Sequence, residues 1–243
     1  MNLIEDPAHL DRLVERQMRA VAIRRQAAHE AARAARGAER RAPHPAEGPW
    51  LTVSKQLGSR GTEIARRVGE NLGWHLFDRE IVQAIAAQTH TREKLLAKLD
   101  EHAPGIFEEL MARLIPQALT PSDFEREMVQ VIWALGRHGS AILLGRGANW
   151  LLDPRLGLRV RIVASETERA RRVAEREEIG AAEALHRVRE DEERRAAFVR
   201  KVFRRDLDDP LGYDVVLNSD RLTTETTAEI ILTALRKKLD HPL

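Results

Sequence analysis

The sequence predicts a parallel, three-layer α/β fold preceded by a helical arm. Three observations carry that expectation. Short apolar segments at 50–54, 75–77, 141–144, 158–164 and 214–218 alternate with helical patterns, the order that builds a parallel sheet covered on both faces. None of these segments is joined to the next by a two-residue hairpin signal. Residues 1–42 have a different texture, with no aromatic residue and no glycine before Gly37.

The arm comes first. Leu10, Leu13, Val14, Met18 and Val21 recur at spacings of three and four, one apolar stripe along a helix. From Arg24 to Arg41 the chain is mostly Ala, Arg and Glu, a helix-forming mixture with little to bury. Residues 12–41 hold nine Arg against three Glu. An exposed or self-pairing helix is expected over 1–42, and it is the candidate surface for self-association or for a partner. The prolines and glycine between Pro43 and Pro49 read as a linker over 43–49. A domain over 50–243 follows, from which the arm is expected to be separable.

Within that domain Trp50 to Ser54 reads as the first strand, followed by a Gly-containing turn from Lys55 to Thr62. Ile64, Ala65, Val68 and Leu72 then share a helix face that ends at Gly73, and a second strand, His75 to Phe77, stops at Asp78. Helices are expected over 79–88, 92–100, 105–117 and 122–138, the last started by Pro121, Ser122 and Asp123. Ala141 to Leu144 is continuously apolar, as a strand buried on both faces must be, and ends in Gly145, Arg146 and Gly147. Leu158 to Ala164 is the fourth strand, and an Arg- and Glu-rich helical region spans 166–206. Asp214 to Asn218 is the fifth strand. The final helix places Ile230, Ile231, Leu235 and Leu239 at helical spacing.

Composition removes whole classes of function. A chain of 243 residues, 43% hydrophobic and 32% charged, has the makings of a folded core. With no cysteine there is no disulfide scaffold, no Cys-ligated metal and no thiol nucleophile. A formal net charge of +2 gives no reason to expect a nucleic-acid partner. No apolar run approaches the roughly 18 residues of a membrane span. The first ten residues carry Glu5 and Asp6 and no apolar core, so no export signal is read and a cytoplasmic location is expected. The nine histidines stand singly, without metal-ligand spacing. Neither a Gly-x-Ser-x-Gly elbow nor a strand-linked Gly-x-Gly-x-x-Gly is present.

In sheets of this kind ligands bind at the carboxyl ends of the strands. Here those ends carry the turn from Gly58 to Thr62, Asp78, the triplet around Arg146, and Asn218. A Gly-rich turn entering a helix presents several backbone N–H groups to an anion. Thr62 stands where a first-turn hydroxyl can reach a phosphate-bound Mg²⁺. Arg146, leaving a buried strand, is either a bidentate anion clamp or a surface arginine. Asp78 can cap the helix that starts at Arg79. Arg169, Arg172 and Arg176 share a helix face, and Asp191 and Arg194 are spaced to pair with each other.

Leu51 to Ala65 (LTVSKQLGSRGTEIA), Leu72 to Glu80 (LGWHLFDRE) and Gly145 to Asn149 (GRGAN) resemble the cytidylate-kinase-like family. These proteins are relatives of bacterial cytidylate kinase with the P-loop nucleoside monophosphate kinase fold. The resemblance continues through Glu168 to Arg172, Asp191 to Arg194 and Tyr213 to Asn218, covering about residues 50–240 but not the arm. It implies ATP and Mg²⁺, and transfer of the γ-phosphoryl group to a nucleoside monophosphate, CMP by family analogy. Lys55, Gly58, Ser59, Arg60, Gly61 and Thr62 would then cradle the donor phosphates, with Thr62 on the metal. Arg60, Arg146, Arg169 and Arg172 would neutralise the developing charge, the last two from a lid over about 166–195 that could equally be an ordinary charged face. Asp78, Arg146, Asp191 and Arg194 would hold the acceptor, unless Asp191 and Arg194 are merely an internal ion pair. Asn218 would frame the adenine pocket or form a turn.

The departures from the family are specific. A phosphate-binding loop reads G-x-x-x-x-G-K-[ST]. Laid on it, Lys55 replaces the first Gly, Arg60 the second, and Gly61 the Lys, while Thr62 keeps the hydroxyl position. Leu144 and Gly147 stand where cytidylate kinases carry the two Asp of Asp-Gly-Arg-Asp. Lys55 and Arg60 are the local candidates to replace the missing cation, and Gly61→Lys is expected to tolerate or strengthen nucleotide binding. Two other functions stay open: a nucleotide-binding regulatory module that has lost catalysis and signals through 1–42, and a kinase for another small phosphate acceptor.

Overall fold

A computed structural model describes residues 6–34, 48–97, 99, 103–114 and 122–240. Within them the five expected strands form: β1 (Trp50–Lys55), β2 (His75–Phe77), β3 (Ala141–Leu144), β4 (Gly157–Val163) and β5 (Val215–Asn218). The helices are α1 (Pro7–Ala34), α2 (Gly61–Leu72), α3 (Arg79–Ala87), α4 (Thr89–Leu96), α5 (Ala103–Leu114), α6 (Asp123–His138), α7 (Ala148–Leu151), α8 (Glu166–Glu177), α9 (Ala181–Phe203) and α10 (Thr224–Asp240). The expected arm end at 35–42, linker residues 43–47 and helix end at 115–117 lie outside the described residues. Among the described residues no helix is long and apolar enough to cross a membrane.

All neighbouring strands pair in parallel, in the order β2-β3-β1-β4-β5. The strands are short and apolar because both faces are covered. On one face Leu51, Val53, Ile142, Val160 and Ile162 pack with Ile64, Ala65 and Val68 of α2 and Ile231 and Leu235 of α10. On the other, Trp50, Phe77, Ala141 and Leu143 meet Ile85 of α3, Leu95 of α4 and Ile132 and Leu135 of α6. β1 lies between β3 and β4, so the chain leaves it in opposite directions across the sheet, the place where an α/β sheet opens a crevice. The register pairs Val53 with Leu144. Lys55 and Arg146, each two residues further along, therefore leave the sheet on adjacent strands.

One expectation is refined and one corrected. The helical region expected at 166–206 forms as a hairpin of α8 and α9, divided where Glu178 takes a left-handed backbone (φ 54°) and Gly180 caps the start of α9. Val173, Ala184 and Val188 form a small apolar cluster of the hairpin's own, against which Leu57 packs. The first helix, expected to be exposed or self-pairing, is docked over its first half. Leu10, Leu13 and Val14 are buried in the same core as α3 to α6. The buried Gln17 side chain donates to the main-chain oxygens of Gly139 (2.6 Å) and Ser140 (3.2 Å). Asp11 accepts from Lys94 and Thr91 of α4, which hold its carboxyl below its usual range against a smaller opposing effect of burial. The apolar stripe was there to read; its partners lie about eighty or more positions away.

Candidate functional site

A cavity of about 460 Å³ opens at the carboxyl ends of β1, β2 and β3 and is walled on its far side by α9. β1 contributes Ser54 and Lys55, the first turn of α2 contributes Thr62, and the end of β2 contributes Asp78 with Arg79 and Glu80. The turn after β3 contributes Gly145 to Gly147, and α9 contributes Asp191, Arg194, Arg195 and Phe198. Five cationic side chains thus face three carboxylates around one hollow, a balance that favours an anionic guest.

The turn between β1 and α2 is braced from behind. Gln56 accepts from the Ala164 amide (3.0 Å) and donates to Glu192 (2.7 Å), so its side chain spans the ends of β1, β4 and α9. Gly58 has φ +80°, and a Cβ there would stand 2.5 Å from the main-chain oxygen of Arg169. Only glycine meets both conditions. Ser59 is fully buried, and its main-chain oxygen accepts from the Ser219 hydroxyl at 2.9 Å. The Arg60 guanidinium donates to the main-chain oxygens of Ser219 (2.5 Å) and Leu222 (2.7 Å). Burial, then the charge of Arg172, lowers the Arg60 pKa. Arg172 donates to the oxygens of Gly58 (3.3 Å) and Ser219 (3.1 Å). With its carbonyls held from behind, the turn leaves the amides of Gly58, Arg60, Gly61 and Thr62 without an acceptor among the described residues. Unpaired amides at a helix start are an anion-binding arrangement.

Lys55 ends β1 with its main-chain oxygen accepting from Arg195 at 2.8 Å. Its ammonium makes no hydrogen bond or ion pair among the described residues. Burial, then the Arg195 charge, lowers its pKa to about 8 against the pull of Asp191. Its stem lies across Gly61, where a Cβ would stand 2.5 Å from the Lys55 Cβ and 3.1 Å from its Cδ.

Arg146 is held by its own turn. It takes a left-handed backbone (φ 58°) between Gly145 (φ 78°) and Gly147 (φ 70°), and a Cβ on Gly147 would stand 2.0 Å from the Phe203 ring. The guanidinium carbon lies 5.2 Å from the centre of the Phe198 ring, within range of a cation–π contact. Its buried Nε has no partner among the described residues. Burial, followed by the charges of Arg79, Arg195 and Arg194, lowers its pKa to about 10. A half-buried guanidinium with a buried, unused donor among like charges is an unsatisfied group awaiting an anion.

The carboxylates are held differently. Asp78 caps α3, its Oδ1 accepting from the Glu80 amide (3.1 Å) and the Ile81 amide (3.0 Å) while Oδ2 has no bond among the described residues. Asp191 is 7% exposed and accepts from Arg194 (2.6 Å) and Arg195. Burial pushes its pKa up, but Arg195 and then Arg194 outweigh that and hold it below the usual value. No group of three His, Cys, Asp or Glu among the described residues could cage a metal. The Thr62 hydroxyl is a hard oxygen at the cavity edge, which suits a Mg²⁺ that takes its other oxygens from phosphate and water.

Lys55, Thr62, Asp78, Arg146, Asp191 and Arg194, all expected from the sequence, line this one cavity. Gly58, Ser59, Arg60, Gly61, Arg169, Arg172 and Asn218 do not line it. Arg60 and Arg172 hold the back of the turn. Arg169 is 4% exposed and donates to the Ala164 oxygen (3.0 Å) and Glu192 (3.1 Å). Asn218 is exposed, and its Oδ1 accepts from the Asp220 amide at 2.9 Å. Ser219 is expected only as a strand-end neighbour of Asn218, and no role for Arg195, Phe198 or Gln56 is read from the sequence. Arg195 had a signal, since it lies one helical turn after Asp191; the others had none.

The model of the cytidylate kinase-like family matches residues 50–221. The chain is 29% identical over 187 residues to a cytidylate kinase of Methanothrix thermoacetophila, an alignment covering 76% of this chain and 97% of that protein. It is 28% identical over 191 residues to one of Archaeoglobus fulgidus, covering 77% and 95%. Among solved structures, an uncharacterized protein from Eubacterium ventriosum shares the fold with a TM-score of 0.63 and 17% identity, over 79% of this chain and 99% of that one.

Proposed function

We propose, starting from the fact that the chain belongs to the cytidylate kinase-like family, that it transfers the γ-phosphoryl group of ATP to the phosphate of CMP. The observation that supports this best is the unpartnered Nε of Arg146, buried in a hollow where five cations face three carboxylates. Two polyanionic substrates brought together at the strand ends would supply the missing acceptors. The archaeal relatives named above are cytidylate kinases, which favours CMP among nucleoside monophosphates.

In this reading the free amides of Gly58, Arg60, Gly61 and Thr62 receive the donor phosphates, while the Ser59 amide stays bonded to the Gln56 oxygen, and the Thr62 hydroxyl joins the oxygens around Mg²⁺. When bound, that ion neutralises charge between the donor phosphates. An oxygen of the acceptor phosphate attacks the γ-phosphorus, the bond to the β-phosphate oxygen breaks, and ADP leaves. Such a transfer depends on positioning and charge neutralisation. Arg146 supplies a guanidinium already held against Phe198. Arg194, Asp191 and the free Oδ2 of Asp78 orient the acceptor. Arg60, Arg169 and Arg172 act as positioning residues that hold the turn and hairpin in register. The docked first helix and the domain from residue 50 onward form one folding unit.

The test is phosphoryl transfer from ATP over a panel of nucleoside monophosphates and small phosphorylated metabolites. Turnover with CMP that falls at least a hundredfold in Arg146→Ala supports the reading. Turnover on no nucleoside monophosphate sinks it. One observation favours a second reading: Leu144, 8% exposed, places an apolar side chain at the cavity, where the Asp-Gly-Arg-Asp pattern of the resemblance would put a carboxylate. ATP binding without transfer to any acceptor would make the protein a nucleotide-responsive module.

A further inference from the structure

We propose that Lys55 supplies, from the end of β1, the phosphate-binding ammonium that turns of this pattern carry at the position of Gly61, and that residue 61 is glycine because the Lys55 stem fills its side-chain space. The inference rests on reading the turn as a polyphosphate site and assigns that site its cation. The first support is packing. Gly61 is buried at the first position of α2, and its backbone is not in the left-handed region, so no conformational demand requires glycine there. What excludes a side chain is Lys55 alone: its Cβ, Cδ and Cγ would lie 2.5, 3.1 and 3.4 Å from an added Cβ. The lysine and the glycine have exchanged places in the chain while the stem stays over the same turn of helix. Glycine disfavours a helix, so a packing reason of this kind is needed to account for it.

The second support is the ammonium itself. It sits at the cavity with Thr62 and Arg146 and has no partner among the described residues. Burial and Arg195 on α9 and Arg176 on α8 disfavour its charged form, while Asp191 on α9 and Glu63 on α2 only partly offset them. A cation held under those conditions lacks a counter-charge, and a polyphosphate received by the adjacent free amides supplies one. Arg60, the other cation in the turn, is occupied by the carbonyls of Ser219 and Leu222. It is therefore not the substitute. The expectation that Gly61→Lys would tolerate or strengthen nucleotide binding is reversed by this geometry, since the new stem would collide with the Lys55 stem.

The test uses the full chain, with inorganic tripolyphosphate as the probe in titration calorimetry and thermal melts to verify folding. Lys55→Met should weaken binding at least tenfold without lowering the melting temperature. Gly61→Lys alone should also weaken binding. The reciprocal pair, Lys55→Gly with Gly61→Lys, should return affinity to within about threefold of the wild type. In the unmutated protein, the Lys55 side-chain NMR signal should titrate at a higher pH once tripolyphosphate is saturating. This readout does not depend on any variant folding. Wild-type protein that ignores tripolyphosphate, a folded Lys55→Met that binds it as before, a folded reciprocal pair as weak as Lys55→Met, or a Lys55 titration unmoved by the probe would each overturn the assignment. If these dependences hold but no nucleoside monophosphate is phosphorylated, the acceptor reading fails and the assignment stands. If CMP is phosphorylated and Lys55→Met leaves kcat and the KM for ATP unchanged, the assignment fails alone.

Discussion

The buried side chain of Gln17 donates to the main-chain oxygen of Gly139 at 2.6 Å, fastening the first helix to the turn between α6 and β3. That turn feeds the central strands, so the helix supports the sheet instead of trailing from it. Gln17→Leu leaves a buried carbonyl without its donor, a loss of about 1–3 kcal/mol. Leu10→Ala, at a side chain with 0% exposure, should cost about 2–5 kcal/mol through the cavity it opens. Both are read by urea denaturation. Removing residues 1–34 should lower the melting temperature steeply, and an unchanged transition would show that the helix is dispensable.

Gly58 is the second point of sensitivity. Gly58→Ala must hold φ near +80° and press a Cβ to 2.5 Å from the Arg169 oxygen. A cost of about 1–3 kcal/mol is expected from the backbone alone, together with weaker tripolyphosphate binding as the turn shifts. Calorimetry on the folded variant checks this. Full affinity would mean that the turn adapts freely.

Stability should depend on pH through Lys55. Its folded pKa of about 8 lies below the ordinary 10.5, so between those values the unfolded chain binds more protons and stability rises with pH. Below pH 8 the buried charge opposes folding in full. Lys55→Met should therefore melt higher than the wild type at pH 7, with the gap narrowing by pH 10.5. Melts across that range decide it, and a gap that does not change with pH would show that the ammonium is well solvated.

Arg146 and Phe198 should act as a pair. Arg146→Ala is expected to lower kcat for nucleotide phosphorylation about a hundredfold or more with little loss of stability, because it removes a buried donor that has no partner. Arg146→Lys keeps a charge but loses the flat, forked group that lies against Phe198 and should recover only part of the rate. Phe198→Leu should raise KM for the acceptor more than it lowers kcat. Steady-state kinetics separate these outcomes, and full activity in Arg146→Lys would show that the forked guanidinium is not needed.

The sheet was legible because burial on both faces leaves runs such as Ala141 to Leu144 with nothing polar in them. The stripe from Leu10 to Val21 was equally legible as a helix, but periodicity says nothing about what a stripe faces, and Leu95 and Phe107 are its distant neighbours in the core. Residues at the ends of β1, β2 and β3 could be placed at one site because a parallel sheet gathers its strand ends. Arg60 and Arg172 could not be resolved in the same way. Their motif positions are local, whereas the carbonyls that occupy them belong to Ser219 and Leu222, more than forty positions on. The lysine at position 55 looked like an exception to a pattern, since a linear comparison cannot show that its stem lies over position 61.

Leu57 packs into the small apolar cluster of the α8–α9 hairpin, and its neighbours Gln56 and Gly58 are bonded to Glu192 and Arg172 of that same hairpin. The bend and the hairpin are consequently geared to each other: one cannot be displaced without turning the other. A fluorophore placed near Ile179, which packs on the same cluster as Leu57, would then gauge from the hairpin side whether the bend is filled.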